Sequence, residues 1–199
     1  MKWYIIRHGD KEKGDFYNPV LRHQDQPISA KGRAEAENLV PYFTDKTISK
    51  IYVSEYIRTM QTIRPVAEKL KLTPIVDSRL NELAVGLIEG LSPEEINEKF
   101  PDLWEAFRGR DRDFQFPEGE TGEQVLQRMQ SFIAEKLPDD EDIIIMAHDG
   151  WIRILACHIL DIPVYQRWDF VVDTCGIMEI EYESEYEHWM IVRFNHICS

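Results

Sequence analysis

The tripeptide Arg7-His8-Gly9 follows directly after a short apolar run, Trp3 to Ile6. The guanidinium group of an arginine presents a planar set of donors that matches the oxygens of a phosphate. A neutral imidazole can attack phosphorus and carry the phosphoryl group covalently, and a glycine lets the backbone turn sharply beside a ligand. These residue types suit phosphoryl chemistry, although polar residues at a strand end are common and one tripeptide does not define a site.

Two further segments have the same form, a buried-looking strand followed by polar residues. Residues 143–147 lead into His148-Asp149-Gly150, and residues 51–53 lead into Ser54 and a helical pattern that contains Arg58. In open α/β sheets, ligands bind outside the carboxyl ends of the strands. We therefore expect the two histidines to face each other at one sheet edge, with Arg58 near a helix N-terminus that favours anions.

The elements that must position these residues alternate between strand and helix. Such alternation predicts a parallel sheet with helices on both faces. We predict an α/β fold, a three-layer sandwich with a mostly parallel central sheet, helices on both faces and a C-terminal antiparallel edge, in a single domain over residues 1–199. The strand candidates are residues 2–7, 50–54, 74–77 and 142–147, and a terminal hairpin is predicted from 176–182 and 189–194.

Local signals mark several helix boundaries. Ser92 to Glu95 and Thr121 to Gln124 have the form of capping boxes and predict helix starts. Pro65 is expected to kink or divide the helix that follows Arg58. The stretch at about 91–116 mixes aromatic residues with arginines, and we interpret it as a helical excursion from the sheet, either covering the site or forming a satellite of the core.

Six segments, in order along nearly the whole chain, resemble the motifs of the histidine phosphatase superfamily, the phosphoglycerate-mutase-like group. The first is Arg7-His8-Gly9, and the last is Ala147-His148-Asp149-Gly150 with Arg153. The other four lie between them and are Gln26 to Arg33, Ser54 to Thr62, Leu80 to Gly90, and Pro117 to Glu120.

The resemblance implies a phosphomonoester hydrolase that acts through phosphohistidine on a small phosphorylated metabolite, with no cofactor and no metal. His8 would be the nucleophile. Glu82 would protonate the leaving oxygen and then activate water, which requires surroundings that favour its protonated form. The groups that would surround the phosphoryl group are Arg7, Gly9, Arg58 and His148, the last of them also catalytic. The other candidate acids are Glu89, Glu120 and Asp149.

The chain departs from the family pattern at two places. Family members commonly follow the first glycine with Glu, Ser or Thr, and then an Asn, whereas Asp10-Lys11-Glu12-Lys13 stand here and the nearest asparagine is Asn18. Asp149 stands where small residues are frequent, so we expect a more acidic pocket wall.

Three other functions compete with phosphatase. A metal-dependent hydrolase would use His8, Asp10, His148 and Asp149 as ligands, but two nearby guanidinium groups would repel a divalent cation. A non-catalytic binder of phosphorylated ligands would not need Glu82. A phosphoglycerate-type mutase must retain and reorient a bisphosphate intermediate, and this chain lacks the long insertions of the mutases it resembles.

Charge and composition restrict the partners. The 199 residues carry a formal net charge of −13, which argues against nucleic acid or an anionic membrane as a partner and leaves a small phosphorylated molecule; the oligomeric state stays open. The apolar stretch at the N-terminus is too short, and too soon interrupted by charge, for a signal peptide. No apolar run approaches the roughly 18 residues of a membrane-spanning helix. The three cysteines lack the spacing of metal ligands. We therefore expect a reducing, cytoplasmic location.

The remaining histidines are expected to be structural or exposed. His158 lies on an apolar helix face and is expected in the core, whereas His188 and His196 flank the last strand and are expected at the surface. His23 lies in the loop from Pro19 to Pro27 and is a candidate for a substrate contact.

Overall fold

The computed structural model describes residues 1–198, which form eight strands, six α-helices and short 3₁₀ turns. The strands are β1 (Lys2–Arg7), β2 (Tyr17–Asn18), β3 (His23–Gln24), β4 (Lys50–Val53), β5 (Ile75–Val76), β6 (Ile143–Ala147), β7 (Ile177–Glu183) and β8 (His188–His196). The helices are α1 (Ala30–Phe43), α2 (Ile57–Leu70), α3 (Pro93–Lys99), α4 (Pro101–Gly109), α5 (Gly122–Lys136) and α6 (Asp149–Ile159).

Six strands form one sheet in the order β5-β4-β6-β1-β7-β8. The first four are parallel to one another, and β7 and β8 add an antiparallel edge. The predicted fold class, a mostly parallel sheet with a C-terminal antiparallel edge, is therefore confirmed. All five residues of β6 are buried, as expected for a parallel strand covered on both faces.

Alternate residues of β1 face opposite helical layers. Trp3 and Ile5 belong to a core shared with α5 and α6, and Tyr4 and Ile6 belong to a second core shared with α1 and α2. The edge-to-face contact between Tyr4 and Phe43, with ring centroids 5.4 Å apart, is part of that second core. Two cores on the two faces of one sheet make the three layers that the sequence predicts.

The predicted caps are present and Pro65 does not divide its helix. Ser92 and Thr121 each form a complete capping box at the start of α3 and α5. α2 runs unbroken from Ile57 to Leu70 with Pro65 inside it, so the predicted division is wrong. Helix α2 buries Ile63 and Val66 in the second core, and this packing outweighs the hydrogen bond that a proline cannot donate.

The excursion at 91–116 is only partly helical. It contains α3 and α4 but leaves helical structure after Gly109. Phe100, Leu103 and Phe114 pack against the edge of the first core, so the stretch is a satellite of that core. His158 is half-buried and not in the core as expected, and His196, expected at the surface, is half-buried against the Tyr42 ring at 5.3 Å.

The backbone after β1 packs closely on the start of α1. A Cβ atom at Gly9 would lie 2.9 Å from the carbonyl oxygen of Gly32, and a Cβ atom at Gly32 would lie 3.0 Å from the backbone nitrogen and carbon of Asp10. Ser29 caps α1 through the Gly32 N–H, and its hydroxyl donates to the Asp10 carboxylate. The loop that follows His8 is thus fixed by direct backbone contact.

We expect Gly32→Ala to reduce the free energy of unfolding by about 1–3 kcal/mol, because a methyl group there forces two backbone segments apart. Urea unfolding of the variant and the parent protein measures this difference. Gly109→Ala is the matched control, since its nearest contact would be 3.5 Å away and alanine is favoured over glycine in a helix. Equal stability of the Gly32→Ala variant and the parent would contradict the close packing described here.

Candidate active site

Three neighbouring parallel strands end at the same edge of the sheet. The parallel pairing of β1 and β6 continues to Arg7 beside Ala147, and the His8 N–H donates to the Ala147 carbonyl at 3.1 Å. His148 comes next after β6, and the His8 and His148 rings lie 5.2 Å apart between centroids. Strand β4 pairs on the other side of β6 and ends before Ser54. The two histidines are therefore brought together as the sequence predicts.

The His8 ring is held in one tautomer. Its Nδ1 lies 2.8 Å from the Gly9 carbonyl oxygen, and a carbonyl only accepts hydrogen bonds, so Nδ1 carries the proton. In the neutral ring the lone pair then lies on Nε2. Burial lowers the pKa of His8 well below the ordinary histidine range, and Arg58 and then Arg7 lower it further. His8 is thus a neutral imidazole with a free Nε2 at physiological pH.

The His148 ring is anchored through its other side. Its Nε2 lies 2.7 Å from Ser54 Oγ, and both residues are buried. Its Nδ1 is buried and has no hydrogen-bond partner among residues 1–198. Burial lowers the pKa of His148 as well, followed by repulsion from Arg58 and His8. Since buried polar atoms are normally hydrogen-bonded, this Nδ1 is a candidate for contact with a ligand.

Two guanidinium groups flank the histidines. Arg7 donates to the Val172 carbonyl, and Arg58 lies in the first turn of α2, with its guanidinium 4.1 Å above the Tyr56 ring. The Nε atoms of both arginines are buried and have no hydrogen-bond partner in the described part of the chain. Helices α2 and α6 also begin near these groups, at Ile57 and Asp149, and helix N-termini favour anions.

Gly9 does not offer a free backbone N–H to a phosphate. Its N–H donates to Thr62 Oγ1 at 2.9 Å, and the Thr62 hydroxyl in turn donates to the Arg58 carbonyl at 2.7 Å. The backbone N–H that a phosphate would use is therefore already bonded. In this structure Gly9 supplies the carbonyl that orients His8 and the room for α1 to approach.

Glu82 lies across the cavity in a desolvated position. Its two oxygens accept hydrogen bonds from the Leu83 and Gly150 N–H groups at 2.9 and 3.4 Å. Burial raises the pKa of Glu82, and the Asp149 carboxylate adds to this, whereas the Leu83 N–H and Arg58 oppose it. A Cβ atom at Gly150 would lie 2.7 Å from Glu82 Oε1, so the glycine makes room for this carboxyl group.

The other candidate acids are all engaged elsewhere. Glu120 holds Arg128 with two hydrogen bonds of 2.9 and 3.0 Å, and Asp149 pairs with Arg153 at 2.8 Å. Glu89 accepts from the Gln24 N–H at 3.2 and 3.3 Å. Among the four candidate acids, burial raises the pKa of Glu82, which makes Glu82 the candidate for a proton donor.

His8, Arg7, Arg58 and Glu82 line a cavity of about 360 Å³, whereas the predicted site residues Gly9 and His148 are not among its lining residues. The hairpin of β2 and β3 forms one wall and is tied to the molecule by Glu89 and by Asp25, which accepts from the Ile57 N–H at 2.8 Å. No residue of 91–116 lines the cavity, so that stretch does not cover the site. The lining residues are Arg7, His8, Lys11, His23, Gln24, Tyr56, Arg58, Glu82, Leu83, Val85, Ile88, Glu89, Gly90, Asp149, Gly150 and Trp168.

The residues of the alternative metal site are not arranged as ligands. The Asp10 carboxylate accepts from the Ser29 hydroxyl and does not line the cavity. Within residues 1–198 no group of three or more His, Cys, Asp and Glu side chains is placed to hold a metal ion. Asn18 also lies outside the cavity and caps the hairpin turn by accepting from the Val20 N–H at 3.0 Å. None of the helices in this part of the chain is long and apolar enough to cross a bilayer.

Two residues of the site had no assigned role in the sequence analysis. Ser54 stands in a recognised motif, and its place at the end of β4, next to β6, could have identified it as the partner of His148. Lys11 lines the cavity at the position where the chain departs from the family pattern. His23 also lines the cavity, and a contact between His23 and a substrate stays a prediction.

Comparisons with known proteins agree with this geometry. Phosphoserine phosphatase 1 of Hydrogenobacter thermophilus is 26% identical over 203 residues, covering 100% of this chain and 93% of that protein. Mouse 6-phosphofructo-2-kinase/fructose-2,6-bisphosphatase 1 is 32% identical over 166 residues, covering 79% of this chain and 32% of that protein.

Solved structures have the same fold. A mycobacterial glucosyl-3-phosphoglycerate phosphatase in complex with inorganic phosphate superposes with a TM-score of 0.83 at 20% identity, covering 99% of this chain and 98% of the other. The alpha-ribazole phosphatase of Shigella flexneri gives 0.81 at 23% identity, covering 98% and 96%. A family model described as the histidine phosphatase superfamily (branch 1) matches residues 3–197. The chain belongs to the histidine phosphatase superfamily.

Proposed function

We propose that this protein hydrolyses phosphomonoesters of small metabolites through a phosphohistidine on His8. The observation that carries the proposal is the His8 ring, which is neutral and turns its unprotonated nitrogen to a cavity containing two guanidinium groups. Family membership and the phosphatases among its relatives support the reaction class.

In the first step His8 Nε2 attacks phosphorus. A nitrogen–phosphorus bond forms, and the bond from phosphorus to the leaving oxygen breaks. Negative charge on the phosphoryl oxygens is met by Arg7, Arg58 and the His148 Nδ1–H, together with the two helix N-termini. Preorganised donors of this kind stabilise the transition state without reorganisation.

Glu82 is the proposed acid of the first step and base of the second. Burial raises its pKa, which favours the protonated form that can donate a proton to the leaving alkoxide. The resulting carboxylate then removes a proton from water, which attacks the phosphohistidine and releases inorganic phosphate. Glu82 ends the cycle protonated and His8 ends it neutral.

The size and charge of the cavity favour a small substrate. A volume of about 360 Å³ is near the lower end of ligand pockets, and the net charge of −13 disfavours nucleic acid. The phosphoserine and glucosyl-3-phosphoglycerate named for two relatives are of this class. A cytoplasmic location is supported by the free thiols of Cys157, Cys175 and Cys198.

We expect His8→Ala to lose at least about a thousandfold in kcat, because the nucleophile is absent. Incubation of the parent with a ³²P-labelled substrate should give an acid-labile, base-stable label that is missing in the variant, with His188→Ala, an exposed histidine, as control. Label and activity should both survive EDTA. Normal turnover by His8→Ala would disprove the intermediate, and transfer of the label to a second substrate instead of to water would identify a mutase.

The pH dependence of kcat tests Glu82. Activity should fall as pH rises through the raised pKa of Glu82, because the leaving group then departs without a proton. Asp149→Asn removes a neighbouring negative charge, so it should lower the pKa of Glu82 and move the alkaline limb of the pH profile to lower pH. Glu98→Gln makes the same change in net charge at an exposed site and should leave the profile unchanged. Loss of rate at every pH without a shift would indicate that Asp149 acts only by positioning Arg153.

Ser54→Ala tests how His148 is positioned. If the Ser54 hydroxyl donates to Nε2, the His148 proton lies on Nδ1 and faces the phosphoryl group. We expect His148→Ala to lower kcat about 10²–10³-fold, Ser54→Ala to lower it by a smaller factor, and Ser54→Thr, which keeps the hydroxyl, to recover activity. Nitrogen-15 NMR should show the His148 proton on Nδ1 in the parent and redistributed in Ser54→Ala. An unchanged tautomer in Ser54→Ala would refute this role.

A further inference from the structure

Lys11 is the third cation at the cavity, after Arg7 and Arg58. Its backbone is fixed, because Lys11 forms an antiparallel bridge with Ile28 and the next N–H donates to the Pro27 carbonyl at 2.9 Å. Its side chain lies at the exposed mouth of the cavity, where a ligand can reach it. The backbone from which the Lys11 side chain extends is therefore set by the same loop that follows His8.

The Lys11 ammonium has little engagement with the protein. It donates to Gln26 Oε1 at 3.4 Å, a long hydrogen bond to a neutral acceptor, and among residues 1–198 it forms no ion pair within 4.0 Å. Desolvation lowers the pKa of Lys11, and repulsion from Arg58 and then Arg7 lowers it further, against attraction from Glu82 and Glu89. An anion beside Lys11 would relieve this repulsion.

The charge of one phosphoryl group is already matched without Lys11. A phosphomonoester carries about −1.5 to −2 charges near pH 7, and the two guanidinium groups supply two positive charges. The carboxylates of the wall do not use the third cation, since Asp149 pairs with Arg153 and Glu89 accepts from Gln24. One positive charge is thus left for another part of the ligand.

We infer that Lys11 binds a second anionic group of the substrate, a carboxylate close to the phosphate-bearing carbon. A carboxylate is favoured over a second phosphate because one ammonium group matches one negative charge. A second phosphate would bring about two charges and leave one of them near Glu89. The inference rests on the proposed function and narrows its substrate class to phosphorylated carboxylic acids.

Paired substrates that differ only in the carboxylate test this inference. The first pair is O-phospho-L-serine and O-phosphoethanolamine, and the second is 3-phosphoglycerate and glycerol 3-phosphate. Lys11→Met should lower kcat/KM for the carboxylated member about 10- to 100-fold, the range for a charge-assisted hydrogen bond, and change the other member less than about twofold. Lys13→Met is the control, an exposed lysine of the same segment that does not line the cavity.

Each contrary result identifies a different error. Equal losses on both members of a pair would place Lys11 at the reacting phosphoryl group, and no loss on either would place it in solvent. A wild-type preference for fructose 1,6-bisphosphate over fructose 6-phosphate, lost in Lys11→Met without carboxylate discrimination, would assign the site to a second phosphate. Kd values for the same pairs, measured with and without Lys11→Met in the His8→Ala background, report on Lys11 without turnover. A failure of the proposed function would change turnover but not this difference in Kd.

Discussion

The site depends on the parallel register of β1, β6 and β4. Strand β6 is hydrogen-bonded between the other two, from Trp3 beside Ile143 to Arg7 beside Ala147, and from Lys50 beside Ile143 to Val53 beside Met146. Because side chains alternate across a sheet, a slip of one residue would turn each strand over. The apolar side chains of β1 and β6 would then face the opposite core. The burial of these side chains in both cores therefore fixes the strand register, and with it the positions of His8, His148 and Ser54 relative to one another.

The same arrangement concentrates positive charge and unpaired polar atoms in a buried place. Arg58 and both histidines are at most 5% exposed. Within the residues that the structure describes, His148 Nδ1 and the Nε atoms of Arg7 and Arg58 have no hydrogen-bond partner. Such groups destabilise a fold unless a ligand pairs them. A phosphoryl group bound as proposed would satisfy them together, so we expect phosphate to stabilise the protein, as is common where activity requires a strained site.

The sequence predicts the parts of the structure that rest on strong local patterns. The apolar run of β6, the capping boxes of α3 and α5 and the strand ends at His8 and His148 follow from periodicity and residue type. Glu82 was identified only through the family resemblance. Its raised pKa could not be predicted from the sequence, because it depends on burial and on contacts with Gly150 and Asp149, which are distant in sequence. The hairpin of β2 and β3 was not predicted, since strands of two residues have no periodicity and are held by Glu89 and Asp25. Of the two predicted effects of Pro65, a kink or a division of α2, the division is wrong, because the helix is held by the tertiary packing of Ile63 and Val66.

The hairpin that forms one cavity wall has a different kind of support from the rest of the domain. It is fastened by the Glu89 and Asp25 carboxylates to backbone N–H groups, and its most exposed residues, Tyr17 and Val20, belong to neither core. Substitutions between residues 17 and 24 therefore leave the sheet and its cores intact. The sequence of this hairpin can therefore diverge in evolution, and with it the preference for the non-phosphate part of a substrate, without change to the strand ends proposed to bind the phosphate.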